Sequence, residues 1–261
     1  MATIAAEPAV PDLAIIRRLE AAGFRAWPAS SVTYEGTWAV RLTAGHPAKR
    51  LNSINPLDPA DNARFDERIA RTTRRFDAYG RQVLFRVTPL AGATLTRHLD
   101  GGGWTRFSES IVMGLDLSRK GFDAVMDVLP IRDVARFLDG ALRVRGDGRV
   151  LRPGLSEIIG SIRGEAGLFL TERGQAAVST AICVHDGDLA GLFEVSTLAA
   201  ERGRGHARDI VLSSLKWAKL RGARMAWLQV EADNEAAVSL YRSLGFTNLY
   251  RYHYRAPAGT P

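Results

Sequence analysis

The chain has 261 residues, 46% of them hydrophobic and 24% charged, with a net charge of +7. That length suits one large domain or two small ones with a real core, and without a transmembrane-length apolar run no membrane partner is expected. The one cysteine, Cys183, excludes a disulfide framework and a zinc ribbon. The positive charge is nearly all arginine, spread along the chain without a block of five, so no nucleic-acid partner is expected.

Residues 1–11 are Ala/Pro-rich and read as disordered. They lack a basic stretch followed by an apolar one, so cytoplasmic residence is the expectation. Asp12 is placed to cap a helix over Leu13–Ala22, stopped by Gly23. Thr37–Thr43 alternates Trp38, Val40 and Leu42 and reads as a strand. Ala44–Pro59, rich in Gly, Pro and Asn, reads as a loop, and Asp61–Tyr79 as a charged amphipathic helix closed by Gly80. A strand over Val83–Val87, a short helix over Thr94–Leu99 and a strand over Ser108–Leu115 follow, making the first half a mixed α/β unit over 12–119.

The second unit, over 120–256, opens with helices expected at Ile131–Leu142 and Leu155–Arg163, separated by a turn-rich stretch from Arg145. Strands over Gly167–Glu172, Ala176–His185 and Leu189–Thr197 form a meander, the last two joined by the hairpin signal Asp186-Gly187. A Gly-rich turn leads into a helix, Ala207–Arg221, then a strand, Met225–Val230, a helix, Asn234–Leu244, and a strand, Thr247–Tyr254. Strands alternating with helices late in the chain imply a mixed sheet with helices on its faces.

Two motifs carry chemistry. Glu201-Arg-Gly-Arg-Gly-His-Ala207 joins a strand to a helix start, where unpaired N–H groups and the helix dipole favour an anion. Glycines at 203 and 205 allow close approach, and Arg202 and Arg204 add positive charge. The turn is neither a P-loop nor a dinucleotide fingerprint; alone it is an anion site or an ordinary turn. The second motif runs from Asn234, a helix cap, to Phe246, with Ala237, Leu240, Tyr241 and Leu244 on one face. Taken alone, Tyr241 on that face reads as core.

Together, Arg202-x-x-Gly205-x-Ala207 and Asn234-x-x-Ala-x-x-Leu-Tyr-x-x-x-Gly-Phe246 closely resemble the GNAT superfamily of acyl-CoA N-acyltransferases, over residues 165–254. The resemblance implies an α/β (α+β) fold with a mixed, largely antiparallel central sheet flanked by helices. Acetyl-CoA would be the co-substrate, with no metal and no covalent acyl-enzyme. The pyrophosphate would sit on Arg202, Gly203, Arg204, Gly205, His206 and Ala207, and the pantetheine arm along Val195, Ser196 and Thr197. Asn234 would contact the cofactor, and Tyr241 would give a proton to the leaving thiolate. Glu194, on the strand beside the thioester, is the candidate general base; it reads equally as a solvent-facing or arginine-paired residue. The acceptor would be the amine of a small molecule or a peptide, and a homodimer is compatible with the resemblance.

The chain departs from the pattern at Ala199, where many relatives have proline, and at His206, where an aliphatic residue is usual. Residues 83–115 echo the closing strand–helix–strand of the second half without its Gly-rich loop, which reads as a degenerate first unit in a tandem arrangement. The polar stretch with Arg50, Asn52, Ser53 and Asn55 faces the acceptor or is a hydrogen-bonded structural loop. The competing readings are a coenzyme A-binding regulator without catalysis and, from charge alone, a nucleic-acid binder.

Overall fold

A computed structural model describes residues 12–122 and 128–259. Helix α1 (Leu13–Ala26) starts at Asp12, whose carboxylate accepts from the Ala14 and Ile15 amides at 2.9 and 3.3 Å. It runs past the stop expected at Gly23. A Cβ at that position would lie 3.3 Å from the Trp227 ring, so the glycine permits close packing of the helix and does not end it.

The first half continues with β1 (Ser31–Glu35), β2 (Trp38–Leu42), β3 (Ser53–Pro56), α2 (Phe65–Ala78), β4 (Phe85–Val87), α3 (Gly92–Gly101) and β5 (Thr105–Asp116). Two of these strands were not legible in the sequence. β1 is an edge strand whose alternating Val32 and Tyr34 stay exposed. β3 lies inside the expected loop 44–59 and is fully buried; its polar residues are satisfied locally, Asn55 Nδ2 donating to the Ser53 carbonyl at 2.9 Å. Helix α2 begins four residues later than Asp61, because that carboxylate accepts from Arg68 and Thr37 instead of joining the helix.

The second half contains α4 (Val134–Arg145), α5 (Arg152–Ser161), β6 (Glu165–Arg173), β7 (Ala176–Asp186), β8 (Leu189–Thr197), α6 (His206–Leu220), β9 (Met225–Glu231), α7 (Glu235–Ser243) and β10 (Thr247–Ala256). All ten strands form one sheet in the order β1-β2-β3-β4-β10-β5-β9-β8-β7-β6. Only β3/β4 and β8/β9 pair in parallel; the rest is antiparallel. This is the mixed, largely antiparallel sheet with flanking helices that the motifs implied.

The order strand–helix–strand–helix–strand occurs twice, as β3-α2-β4-α3-β5 and as β8-α6-β9-α7-β10. The halves exchange their last strands: β5 lies between β9 and β10, and β10 lies between β4 and β5. Between the halves, Trp27 stacks on Phe193 with centroids 5.3 Å apart, and Trp227 meets Phe193 edge-on at 5.5 Å. Burying each such ring contributes roughly 1.5–3 kcal/mol. Beside them Glu20 and Arg86 form a buried ion pair, and the Tyr250 hydroxyl donates to Glu20 Oε1 at 2.6 Å. A broken buried pair is far more costly than a retained one, so this cluster ties α1 to both β4 and β10.

Candidate active site

The parallel strands β8 and β9 are paired only from Leu189/Met225 to Leu192/Leu228. Beyond that point β8 has an irregularity opposite β7, with the register shifting between Ile182↔Phe193 and Thr180↔Ser196. Glu194 sits there with φ +52. An extra residue of this kind bends a strand, and here β8 continues to Thr197 bonded to β7 while leaving β9. The edge of β8 that faces β9 is thereby opened.

The connection that follows, residues 198–205, ends at Gly205, the N-cap of α6, with φ +87. Gly203 has φ +76, and no heavy atom lies within 4 Å of a Cβ built there. Both conformations favour glycine strongly. The N-terminus of α6 has no side-chain cap, so its first N–H groups are free to meet an anion. Helix α7 starts beside it, and Asn234 Oδ1 accepts from the Ala237 amide at 3.1 Å.

These elements enclose a cavity of about 750 Å3. Val195, Ser196 and Thr197 form one wall; Arg202, Gly203, Gly205, His206 and Ala207 form the end at α6; Asn234 and Tyr241 form the α7 side. Arg204 does not line it; its guanidinium is 3.1 Å from Glu201, which does. Glu194 does not line it either. His206 Nε2 lies 3.3 Å from Glu201 Oε2. Burial works against ionisation of Glu201, but the hydrogen bond with His206 and the charges of Arg204 and Arg173 hold its carboxyl below the usual range.

A smaller cleft of about 230 Å3 adjoins the cavity between the diverging strands. Arg145, Val195, Ser196, Asn234, Ala237 and Tyr241 line both, so they mark where the two spaces meet. Tyr241 is buried, and burial pushes its phenol up to about 12. Its ring meets Phe246 at 5.8 Å. The phenol therefore stays protonated at neutral pH and can donate a proton at this junction.

Glu194 lines the smaller cleft, and its carboxylate is engaged. Arg145 pairs with Oε2, and Arg50 lies 3.7 Å from Oε1. Glu231, at the end of β9, lines the same cleft, is exposed and makes no ion pair among the described residues. Cys183 is fully buried and desolvation pushes its thiol up, as befits a core residue and not a nucleophile. Sequence reasoning missed Arg145, which ends α4, and Gln229 on β9. Neither stands in a motif; only the sheet and the packing of α4 bring them to the cleft. Of the polar stretch, Arg50 faces the cleft, whereas Asn52 and Asn55 hold the backbone of their own segment.

Among the described residues no group of three or more His, Cys, Asp or Glu side chains is arranged to hold a metal, and no helix is long and apolar enough to cross a membrane.

Known proteins resemble this chain in sequence and in fold. An uncharacterized N-acetyltransferase of Bacillus subtilis, YobR, is 38% identical over 65 residues, 25% of this chain and 26% of that protein. The chain thus spans about a quarter of the length of that relative. Among solved structures, a GCN5-related N-acetyltransferase from Kribbella flavida superposes with a TM-score of 0.70 at 18% identity, covering 94% of this chain and 96% of the other. A tandem GNAT protein from the clavulanic acid biosynthesis pathway superposes with a TM-score of 0.63 at 14% identity, covering 99% and 90%. Over residues 13–255 the chain matches the family described as "Probable histone acetyltransferase Rv0428c C-terminal". The chain therefore belongs to that family, and it shares the fold of these GNAT structures.

Proposed function

We propose that the protein is an N-acetyltransferase that moves an acetyl group from acetyl-CoA to a primary amine by direct attack. The observation that carries this is the meeting of the two spaces at Tyr241: an anion-ready helix start at one end, a small polar cleft at the other, and a protonated phenol between them. Residues 12–119 and 120–256 would be two units of one ancestry that exchange their last strands, with the cofactor site in the second.

Acetyl-CoA supplies an activated thioester. The amides of Arg202, Gly203, Gly205, His206 and Ala207 and the guanidinium of Arg202 suit its pyrophosphate, with Arg204 adding charge nearby. The open edge of β8 from Val195 to Thr197 suits the amide groups of its pantetheine arm, and Asn234 borders the same channel. The amine nitrogen must lose a proton as its bond to the carbonyl carbon forms. Glu194 is paired directly with Arg145 and has Arg50 3.7 Å away, which leaves Glu231 the better placed carboxylate to take that proton, directly or through water. As the carbon–sulfur bond breaks, Tyr241 returns a proton to the sulfur. A phenol near 12 is a weaker acid than an ordinary thiol of about 8.5, so Tyr241 first stabilises the developing thiolate by a hydrogen bond, and proton transfer follows.

The test is titration with acetyl-CoA followed by a screen of amines for thiol release and an acetyl mass gain. Heat stabilisation by the cofactor with turnover of at least one amine supports the proposal. Absence of both would defeat it, and binding without turnover across the panel would favour a coenzyme A-binding regulator.

A further inference from the structure

One cation borders the smaller cleft without lining the larger cavity: Arg50. It belongs to the first half of the chain. The connection from β2 to β3 covers residues 43–52, whereas the corresponding connection from β7 to β8 is the turn 187–188. The longer connection carries Arg50 across to the second half, and it is held stiffly. Asn52 Oδ1 accepts from the Thr43 amide at 2.8 Å, and its Nδ2 donates to the His46 carbonyl at 2.8 Å. The buried Arg41 donates to the Arg50 carbonyl at 2.8 Å.

The guanidinium of Arg50 lies over the rings of Trp27 and Phe193, 5.2 and 5.7 Å from their centroids. A cation–π contact at these distances leaves the N–H donors of a guanidinium available. Those groups are unspent. The nearest carboxylate oxygen, on Glu194, is 3.7 Å away, beyond hydrogen-bonding reach. No side-chain hydrogen bond of Arg50 is formed among the described residues, and 29% of the side chain is exposed. Arg145, the other cation of the cleft, is committed to Glu194 and Asp147.

We propose that Arg50 binds a carboxylate of the acceptor, so that the amine substrate is a small amino acid. This rests on the transferase reading above. A guanidinium whose donors make no side-chain hydrogen bond is the side chain best matched to a carboxylate, which it can hold with two parallel hydrogen bonds. The same cleft presents Glu231, an exposed carboxylate without an ion pair among the described residues. A cation whose side-chain donors make no hydrogen bond and an anion without an ion pair among the described residues, on one cleft, complement a molecule that carries both an ammonium and a carboxylate. The volume of about 230 Å3 lies below the ~300–1,000 Å3 usual for larger ligands. A peptide amino terminus would offer the ammonium without the carboxylate, and a simple amine would leave Arg50 unused.

The experiment compares L-amino acids with their own carboxamides as acceptors, at saturating acetyl-CoA, by thiol release and product mass. Each pair shares side chain and amine and differs only in the anion. The acids should be favoured at least tenfold in kcat/KM, through KM. Arg50→Gln should bring that ratio towards one, and Arg50→Lys should restore part of it, with thermal melting used to check that each variant folds. Titration of the coenzyme A-loaded protein with the same pairs gives a second readout that does not need turnover. Equal use and equal binding of acid and amide would overturn the inference while leaving the transferase reading intact. A preference for the acids that survives Arg50→Gln would overturn it too. Failure to bind acetyl-CoA at all would remove both.

Discussion

The two parallel strand pairs of this sheet are built alike and end differently. β3 and β8 are each followed by a connection of eight residues, 57–64 and 198–205, then by a helix, then by the parallel partner strand. In the second half the connection contains Gly203 and Gly205, both with positive φ, and the helix start is uncapped beside Arg202. In the first half the same place is filled. Arg68 is buried, lies 3.8 Å from the centroid of the Trp38 ring, and donates to both oxygens of Asp61 at 2.8 Å. The first turn of α2 also carries Asp66 and Glu67, which complement its dipole but repel a phosphate. Burial works against ionisation of Asp61, yet hydrogen bonds from Arg68 and Thr37 hold its carboxyl down at about 2. The two helix starts thus differ in what lies beside them: a cavity at α6, and an internal ion pair at α2.

Substitutions at the plug and at the opening should separate these roles. Arg68→Ala leaves Asp61 without its buried partner, so it should cost about 3–5 kcal/mol of stability. That should appear as a melting temperature lower by about 10 °C, while acetyl-CoA affinity of the folded protein changes little. Weakened cofactor binding without a lower melting temperature would erase the contrast between the halves. Tyr241→Phe should do the reverse, lowering kcat about a hundredfold or more with the cofactor dissociation constant and melting point nearly unchanged. An unaltered kcat would take Tyr241 out of the chemistry.

The same phenol predicts an alkaline effect on stability. Burial raises it from 10.0 to about 12, so the folded and unfolded states are both protonated below about pH 10. Between about pH 10 and 12 only the unfolded state releases the proton, and stability falls as pH rises, by about 2.7 kcal/mol for two units. Denaturant titrations at pH 9 and pH 12 should therefore differ less for Tyr241→Phe than for the parent chain. The smallest effect is expected at the loop itself. Gly205→Val places a branched side chain at φ +87, at a cost of about 1–2 kcal/mol. If that strain shifts the amides it should weaken acetyl-CoA about tenfold, read by calorimetry, whereas Gly80→Val on the first half, also at positive φ, should leave binding alone.

Much of the fold was legible because its signals are local. The Asp12 and Asn234 caps, the Asp186-Gly187 turn and the long amphipathic helices each depend on neighbours a few residues away. Gly23 misled because its reason is distant, the Trp227 ring packed against α1. β3 misled because Ser53 and Asn55 are polar residues in a buried strand, satisfied by partners that composition does not display.

The sequence alone determined that a Gly-rich turn precedes a helix, that Asn234 starts another, and that Tyr241 lies on that helix's apolar face, since each follows from backbone hydrogen bonding and helical spacing. Tertiary structure decided what those features meet. The bulge at Glu194 parts β8 from β9, and the connection between β2 and β3 and the ends of α4 and β9 converge to set Arg50, Arg145 and Glu231 around one cleft. No local pattern encodes that convergence, because it arises from strand exchange and sheet order, which are fixed by burial between residues far apart in the chain.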